Sequence, residues 1–249
     1  MKSAFILIAL LLSLPAATTH AGWLDNVLKP ATSTNQNAGT AVLAGLGETE
    51  IANGLKEALA KGVTKAVADL GKDGGFLTNL AVKIPMPEKM RTVEKGLRAA
   101  GQDKLADEFI ATMNHAAEQA VPVAATVFGD ALKAMTLQDA QAILKGQPDA
   151  ATQYFKKTSS TELTEKFRPL VAAATDKVGL TAQYKKLMKE AGPLAGFLGQ
   201  DNTDLDGYVT KKALDGLFTM VAAEEKQIRE NPAARTTDLL KKVFGSSAK

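Results

Sequence analysis

The chain predicts an all-α protein, and three features carry that prediction. Apolar residues recur at three- and four-residue intervals through most of the chain, the signature of helices with one buried face. No segment sustains the period-two alternation of β-branched and aromatic residues that marks a strand. Hydrophobic residues make up 45% of the chain but aromatics only 5%, so the core is built from Ala, Leu and Val and its helices must pack closely. The expectation is one compact domain of eight or nine helices, some kinked at proline.

The first 21 residues form a separate unit. Met1-Lys2-Ser3 carries one positive charge, the run from Ala4 to Leu14 is apolar, and Thr19-His20-Ala21 ends on small residues. This is the pattern of a secretory signal peptide cleaved after Ala21. The apolar run is shorter than the roughly 20 residues a bilayer-spanning helix needs, and no second run of that length follows. The expected organisation is a signal peptide over 1–21, a short helix and flexible linker over 22–47, and a helical domain over 48–249. The expected location is the periplasm or the medium.

Between the signal and the domain, Gly22–Lys29 places Trp23, Leu24, Val27 and Leu28 on one side of a short amphipathic helix that Pro30 ends. The polar stretch from Ala31 to Thr40 has the composition of a linker.

The first long helix spans about Glu50–Leu70, with Ile51, Leu55, Leu59, Val63, Val67 and Leu70 on its buried face. Gly54, Ala58, Gly62 and Ala66 add a stripe of small residues. Glycine inside a helix costs stability, so the stripe predicts a second helix packed against it. Gly71 and Gly74-Gly75 stop the helix; the same glycines lack the pattern of a phosphate-binding loop. Ile84-Pro85-Met86-Pro87 predicts an extended connector, with Pro87 suited to the first turn of a helix over Glu88–Ala100.

A long helix over about Lys104–Met135 follows, kinked at Pro122. Thr136-x-x-Asp139 and Ser159-x-x-Glu162 have the form of capping boxes. They predict helices over about Leu137–Lys145 and Ser160–Val178, the second bent at Pro169, with a short helix over Asp149–Lys157 between them. Helices over Thr181–Ala191, Asp204–Glu230 and from Asn231-Pro232 to Phe244 complete the set.

Composition excludes several chemistries. The chain has no cysteine, and His115 is the one histidine beyond the signal peptide. Neither a thiolate metal site nor a Cys–His dyad can therefore be assembled. Serines after the signal lie at Ser33, Ser159, Ser160, Ser246 and Ser247, none in a Gly-x-Ser-x-Gly elbow. The net charge of +3 is spread among alternating acids and bases, unlike the clustered footprint of a nucleic-acid-binding protein. No cofactor and no metal are expected.

Four polar constellations remain. Asn202 to Thr210 resembles the start of a calcium loop, but its twelfth position is Ala213 instead of a bidentate carboxylate. A Thr203-x-x-Asp206 capping box accounts for the same residues. Asp107, Asn114 and Glu118 share one face of the long helix; solvent is the favoured environment for that face, and a second helix layer that leaves Glu118 partly buried is the alternative. His115 lies on the polar flank beside them. A lone exposed histidine is the favoured reading, and pairing with Glu118 at i+3, which would supply two ligands of a weak metal site, is the alternative. Glu224 and Glu225 fall where the apolar stripe between Val221 and Ile228 should pass; one belongs at the core edge, paired with Arg229 at i+4 from Glu225.

The chain also resembles an exported bacterial all-helical family known only as a domain of unknown function. The resemblance rests on Gly54-Leu55-Lys56-Glu57-Ala58-Leu59, Ile84-Pro85-Met86-Pro87, Met113-Asn114-His115-Ala116-Ala117-Glu118, the run Tyr208 to Phe218 and the run Asn231 to Leu240. It implies an exported helical domain and supplies no activity. Within those stretches Asn114, Glu118, Asp215, Glu225, Arg229 and Arg235 are the polar candidates for a site. The leading expectation is a non-enzymatic protein that binds a small apolar ligand or an envelope partner, in a cavity left by kinked helices. A hydrolase using Glu118 and Glu225 as acid and base is the alternative, and a structural or stress-related envelope factor the second.

Overall fold

The computed structural model describes residues 47–177, 179–193 and 204–230. The signal peptide, the Gly22–Lys29 helix, the linker, Asn202 and Thr203 of the calcium-like loop, the final helix and Arg235 lie outside them. Eight α-helices occur among the described residues, with no strand. They are α1 Glu48–Gly71, α2 Arg91–Ala99, α3 Asp103–Ala120, α4 Ala124–Ala134, α5 Leu137–Lys145, α6 Ala150–Lys177, α7 Leu180–Ala191 and α8 Leu205–Glu230. The protein is all-α.

The first helix forms as its periodicity demands. Both its apolar face and its small-residue stripe are buried. The stripe receives α8: a Cβ added at Gly62 would stand 3.3 Å from the Glu224 Cβ and 3.4 Å from the Ile228 Cδ1. Gly74, with φ of +77°, turns the chain beyond the helix end. The connector that follows runs extended into Pro87, which precedes a 3-10 turn over Glu88–Met90.

At Pro122 the expected interruption is present, with right-handed helical dihedrals kept on either side of it. A 3-10 turn over Val121–Val123 separates α3 from α4, because proline lacks the N–H that the α-helical ladder would use there. The Thr136 capping box is present as expected. The Thr136 Oγ1 accepts the Asp139 N–H at 3.1 Å, and the Asp139 Oδ2 accepts the Thr136 N–H at 3.0 Å.

The Ser159 capping box is not. Helix α6 runs unbroken through Ser159 and through Pro169, and Ser159 is 1% exposed in mid-helix. Phe155, Ser159, Leu163, Phe167 and Val171 form one buried stripe across the expected boundary. The neighbouring hydroxyls turn inward on the helix: Thr158 donates to the Tyr154 carbonyl at 2.9 Å and Ser160 to that of Lys156 at 2.6 Å. Serine and threonine serve equally well as caps or as such back-bonding residues, and packing chose the second use.

Helices α6 and α8 are antiparallel neighbours. Arg168 meets Asp204 at one end at 2.9 Å, and Thr152 meets Glu225 at the other at 2.8 Å. Where α4 joins them, Phe128 sits 4.9 Å from Phe155 and 6.0 Å from Phe218, both edge-on. Such aromatic pairs add to the energy of burial. Helix α7 closes on α3, with Tyr184 6.5 Å from Phe109. No single helix among the described residues is long and apolar enough to cross a membrane.

Two glycine substitutions separate helix propensity from packing. Gly129 in α4 has nothing within 4 Å of an added Cβ, so Gly129→Ala should stabilise by up to about 1 kcal/mol. Gly216 in α8 would place a Cβ 2.7 Å from the buried Phe76 ring and 3.2 Å from Val82. Overpacking of about 1–3 kcal/mol outweighs the propensity gain there, so Gly216→Ala should lower the urea midpoint. A second test concerns Asp139, whose hydrogen bonds from Thr136 hold its carboxyl below the ordinary value of 3.8. A depressed carboxyl stabilises above its unfolded pKa and loses that contribution as pH falls through its folded value. The stability difference between the native chain and Asp139→Asn should therefore be full at neutral pH and vanish in acid.

Candidate functional site

Of the six polar candidates, Asn114 and Glu118 are buried together, Glu225 is buried beside a partly buried Arg229, Asp215 is exposed, and Arg235 lies outside the described residues. The first pair lies on α3. Residues 72–87 are not helical, so their backbone groups need partners wherever they are buried. Asn114 and Glu118, one turn apart and 0% and 3% exposed, provide them. Asn114 Oδ1 accepts the Ile84 N–H at 2.9 Å, while its Nδ2 donates to the Ile84 carbonyl at 2.9 Å and the Ile110 carbonyl at 2.7 Å. Glu118 Oε1 accepts the N–H groups of Phe76 and Leu77 at 3.0 and 3.2 Å. From the opposite side, the Tyr208 hydroxyl of α8 donates to the Pro85 carbonyl at 3.0 Å. The connector is thus clamped between α3 and α8, with Phe76, Ile84 and Met86 in the core.

The solvated polar face expected on α3 is therefore corrected for Asn114 and Glu118, because the buried connector lies against it. Asp107 alone is solvated, and it pairs with Arg98 at 2.8 Å. Hydrogen bonds to the Asp107 and Glu94 carboxylates hold the Arg98 guanidinium firmly protonated.

The second pair lies on α8. Glu225, 3% exposed, takes five hydrogen bonds: the N–H groups of Ala151 and Thr152 at 2.9 and 2.8 Å, the Thr152 hydroxyl at 2.8 Å, and two from Arg229 at 3.0 and 2.8 Å. The Arg229 guanidinium also donates to the Ile143 carbonyl in the last turn of α5 at 3.0 Å. Free N–H groups at a helix start usually find a local cap. Here α6 is capped by a carboxylate more than seventy residues away, and the expected Glu225–Arg229 pair supplies it.

Glu118 and Glu225 consequently serve different segments. Asp215 stands apart from both, in an exposed pair with Lys211 at 3.0 Å. The calcium-like loop is also accounted for where it is described. Asp204 accepts the Gly207 N–H at 2.8 Å, while Thr203 of the expected Thr203-x-x-Asp206 box lies outside the described residues. Asp206 accepts the Thr175 hydroxyl at 2.7 Å.

One group of potential metal ligands occurs among the described residues. Ligand atoms of Asp73, His115 and Glu118 lie within 4.8 Å of one another, with His115 Nδ1 2.8 Å from Glu118 Oε2. Zinc or calcium would need further ligands to complete its shell there. The His115–Glu118 contact corresponds to the alternative weighed against a lone exposed histidine, and Asp73 was missed because the turn at Gly74 brings it near.

A concavity lies elsewhere, between α6 and α8. It has a volume of about 470 Å³ and is lined by Lys156, Ser160, Thr164 and Arg168 from α6 and by Gly207, Thr210, Lys211, Leu214, Asp215 and Phe218 from α8. Of the six candidates, Asp215 lines it. The four α6 residues recur every fourth position, a readable polar stripe. Dividing α6 at Ser159 hid that stripe by assigning its members to two helices.

A family model described as protein of unknown function (DUF4197) matches residues 45–245. The chain belongs to the DUF4197 family. No curated protein and no solved structure matches it. The DUF4197 match covers α1 to α8, so both clamps and the groove lie within the matched region.

Removing one member of a buried ion pair strands the other. Glu225→Gln should cost about 3 kcal/mol by urea unfolding and raise amide exchange first at Ala151 and Thr152. Glu118→Gln should act on the Phe76 and Leu77 amides and leave those of α6 protected.

Proposed function

We propose that this DUF4197 chain is an exported, non-enzymatic protein that binds a ligand in the groove between α6 and α8. One observation carries the proposal: a concavity of about 470 Å³ whose lining side chains stand apart from both backbone clamps. That volume falls within the range of small-molecule sites. The floor is apolar at Leu214 and Phe218, and the rim carries charged and hydroxyl groups. This differs from the expected cavity left by kinked helices, because the groove lies between two continuous helices, α6 and α8. The signal-peptide pattern of residues 1–21 supports export.

The hydrolase alternative has less support. A general acid or base must exchange a proton with substrate, whereas Glu118 is held by the Phe76 and Leu77 amides and His115, and Glu225 by the Ala151 and Thr152 amides, the Thr152 hydroxyl and Arg229, in different parts of the fold. A structural envelope factor would act through other surfaces and leave the groove empty.

The test is native mass spectrometry of the full chain, expressed with its leader in a Gram-negative host and recovered from the periplasm. The expected spectrum shows a chain beginning at Gly22 together with an added mass lost on denaturation. A bare chain that also fails to bind lipid and metabolite extracts would overturn the binding proposal. A retained leader would overturn export with cleavage at Ala21.

A further inference from the structure

We propose that the α6–α8 groove selects an anionic amphiphile, with its head group at Thr210 and Lys211 and its apolar part over Leu214 and Phe218. The inference rests on the groove being a ligand site and adds the chemical class of the ligand.

Thr210 carries the argument. It lines the groove, is 3% exposed, and its hydroxyl has no hydrogen-bond partner. A buried hydroxyl left unpaired destabilises the fold, and native proteins hold few such groups. The neighbouring hydroxyls differ in kind. Ser160 and Thr164 donate their protons to carbonyls one turn back, at 2.6 and 2.8 Å, which leaves them lone pairs alone. Thr210 is the lining hydroxyl with a proton still to give, so the missing partner is an acceptor.

The surrounding charge fixes the sign of that acceptor. Lys156, Arg168 and Lys211 line the groove with the single lining acid Asp215, and Arg168 is also paired with Asp204 at 2.9 Å in an exposed contact. Lys211 and Asp215 are paired at 3.0 Å, but their side chains are 74% and 56% exposed. Exposed pairs of this kind contribute little, so the Lys211 ammonium can turn to a ligand oxygen at small cost. Lys156 has no carboxylate partner among the described residues, and its ammonium stands 5.7 Å from the centroid of the Phe218 ring.

Helix geometry supplies the rest. Thr210, Leu214 and Phe218 follow one another at four-residue spacing on the groove face of α8, over about 12 Å of helix. The stripe passes from hydroxyl to aliphatic to aromatic, which gives a ligand a head and a tail. A bare small anion would leave Leu214 and Phe218 uncovered, and a neutral chain would leave the Thr210 proton and the cations unanswered. Carboxylate and phosphate monoester heads share the required chemistry of several acceptor oxygens on one anionic centre.

The experiment titrates the full chain, exported and purified, with octyl phosphate, octanoate, inorganic phosphate and 1-octanol, followed by calorimetry and amide chemical shifts. Octyl phosphate or octanoate should saturate, with shifts centred on Thr210, Lys211 and Leu214 and with affinity falling as salt rises. The ratio of the two separates a phosphate from a carboxylate head. Inorganic phosphate and 1-octanol should each bind at least about tenfold more weakly, since each lacks one half of the contact. Thr210→Val preserves shape and should weaken the anionic amphiphile about tenfold while leaving Tm equal or higher. Lys211→Met should weaken it and flatten the salt dependence.

Octanol binding as tightly as octyl phosphate would overturn the anionic class and leave the groove a ligand site. So would failure of every probe when native mass spectrometry shows a bound ligand. Failure of every probe with a bare chain mass would overturn both proposals. An unchanged affinity with a lowered Tm in Thr210→Val would make the hydroxyl structural and overturn the assignment of the head group.

Discussion

The carboxylate of Glu225 is the constraint on which most of the architecture depends. It closes the amino end of α6, fixes Arg229 beside it, and through Arg229 holds the last turn of α5. A negative charge at a helix start also meets the positive end of the helix dipole. The clamp acts at one end of the α6–α8 pair, and the Arg168–Asp204 contact acts at the other. Between them the two helices are held in one register, and that register decides which side chains share the groove. A shift of one helical turn, about 5.4 Å, would bring different residues of α6 opposite Thr210.

The α3 clamp applies the same physics to a different problem. A chain that leaves α1 at Gly71 and reaches α2 without helix must bury Phe76, Ile84 and Met86 while keeping its amides paired. Asn114 offers both donor and acceptor, so it pairs with both backbone groups of Ile84, as a neighbouring strand would. Glu118 takes two successive amides. Polar side chains at helical spacing on one face are therefore compatible with a core that contains no active site, because a buried irregular segment needs them.

Much of this was legible in the sequence where the signal was local. The buried faces of α1, the Thr136 box, the α8 span and the Glu225–Arg229 pair follow from periodicity, capping chemistry and i+4 spacing. What escaped depended on contacts between distant segments. The environment of Asn114 and Glu118 is set by residues 76–84, and no pattern on α3 alone reveals that a connector lies against it. The false boundary at Ser159 arose from the double use of serine. A cap and a back-bonding residue look alike in sequence, and the buried stripe from Phe155 to Val171 decides between them only when α6 is taken whole. Its true start, near Ala150, carries no local cap to read, because the cap resides in α8.

The groove follows from the same choice. Continuous α6 places its apolar stripe against the core and sets Lys156, Ser160, Thr164 and Arg168 along one flank of α8. Across that line α8 presents Thr210, a hydroxyl buried deeply enough to lose water and yet unpartnered. Valine would fill the same space without that cost. Everywhere else in the described α6–α8 contact, buried polar atoms are matched with care: Thr175 with Asp206, Thr152 with Glu225. A fold that satisfies its polar atoms so consistently at both ends of one helix pair, and leaves one proton unanswered between them beside three cations, has the form of a recognition surface for an anionic group.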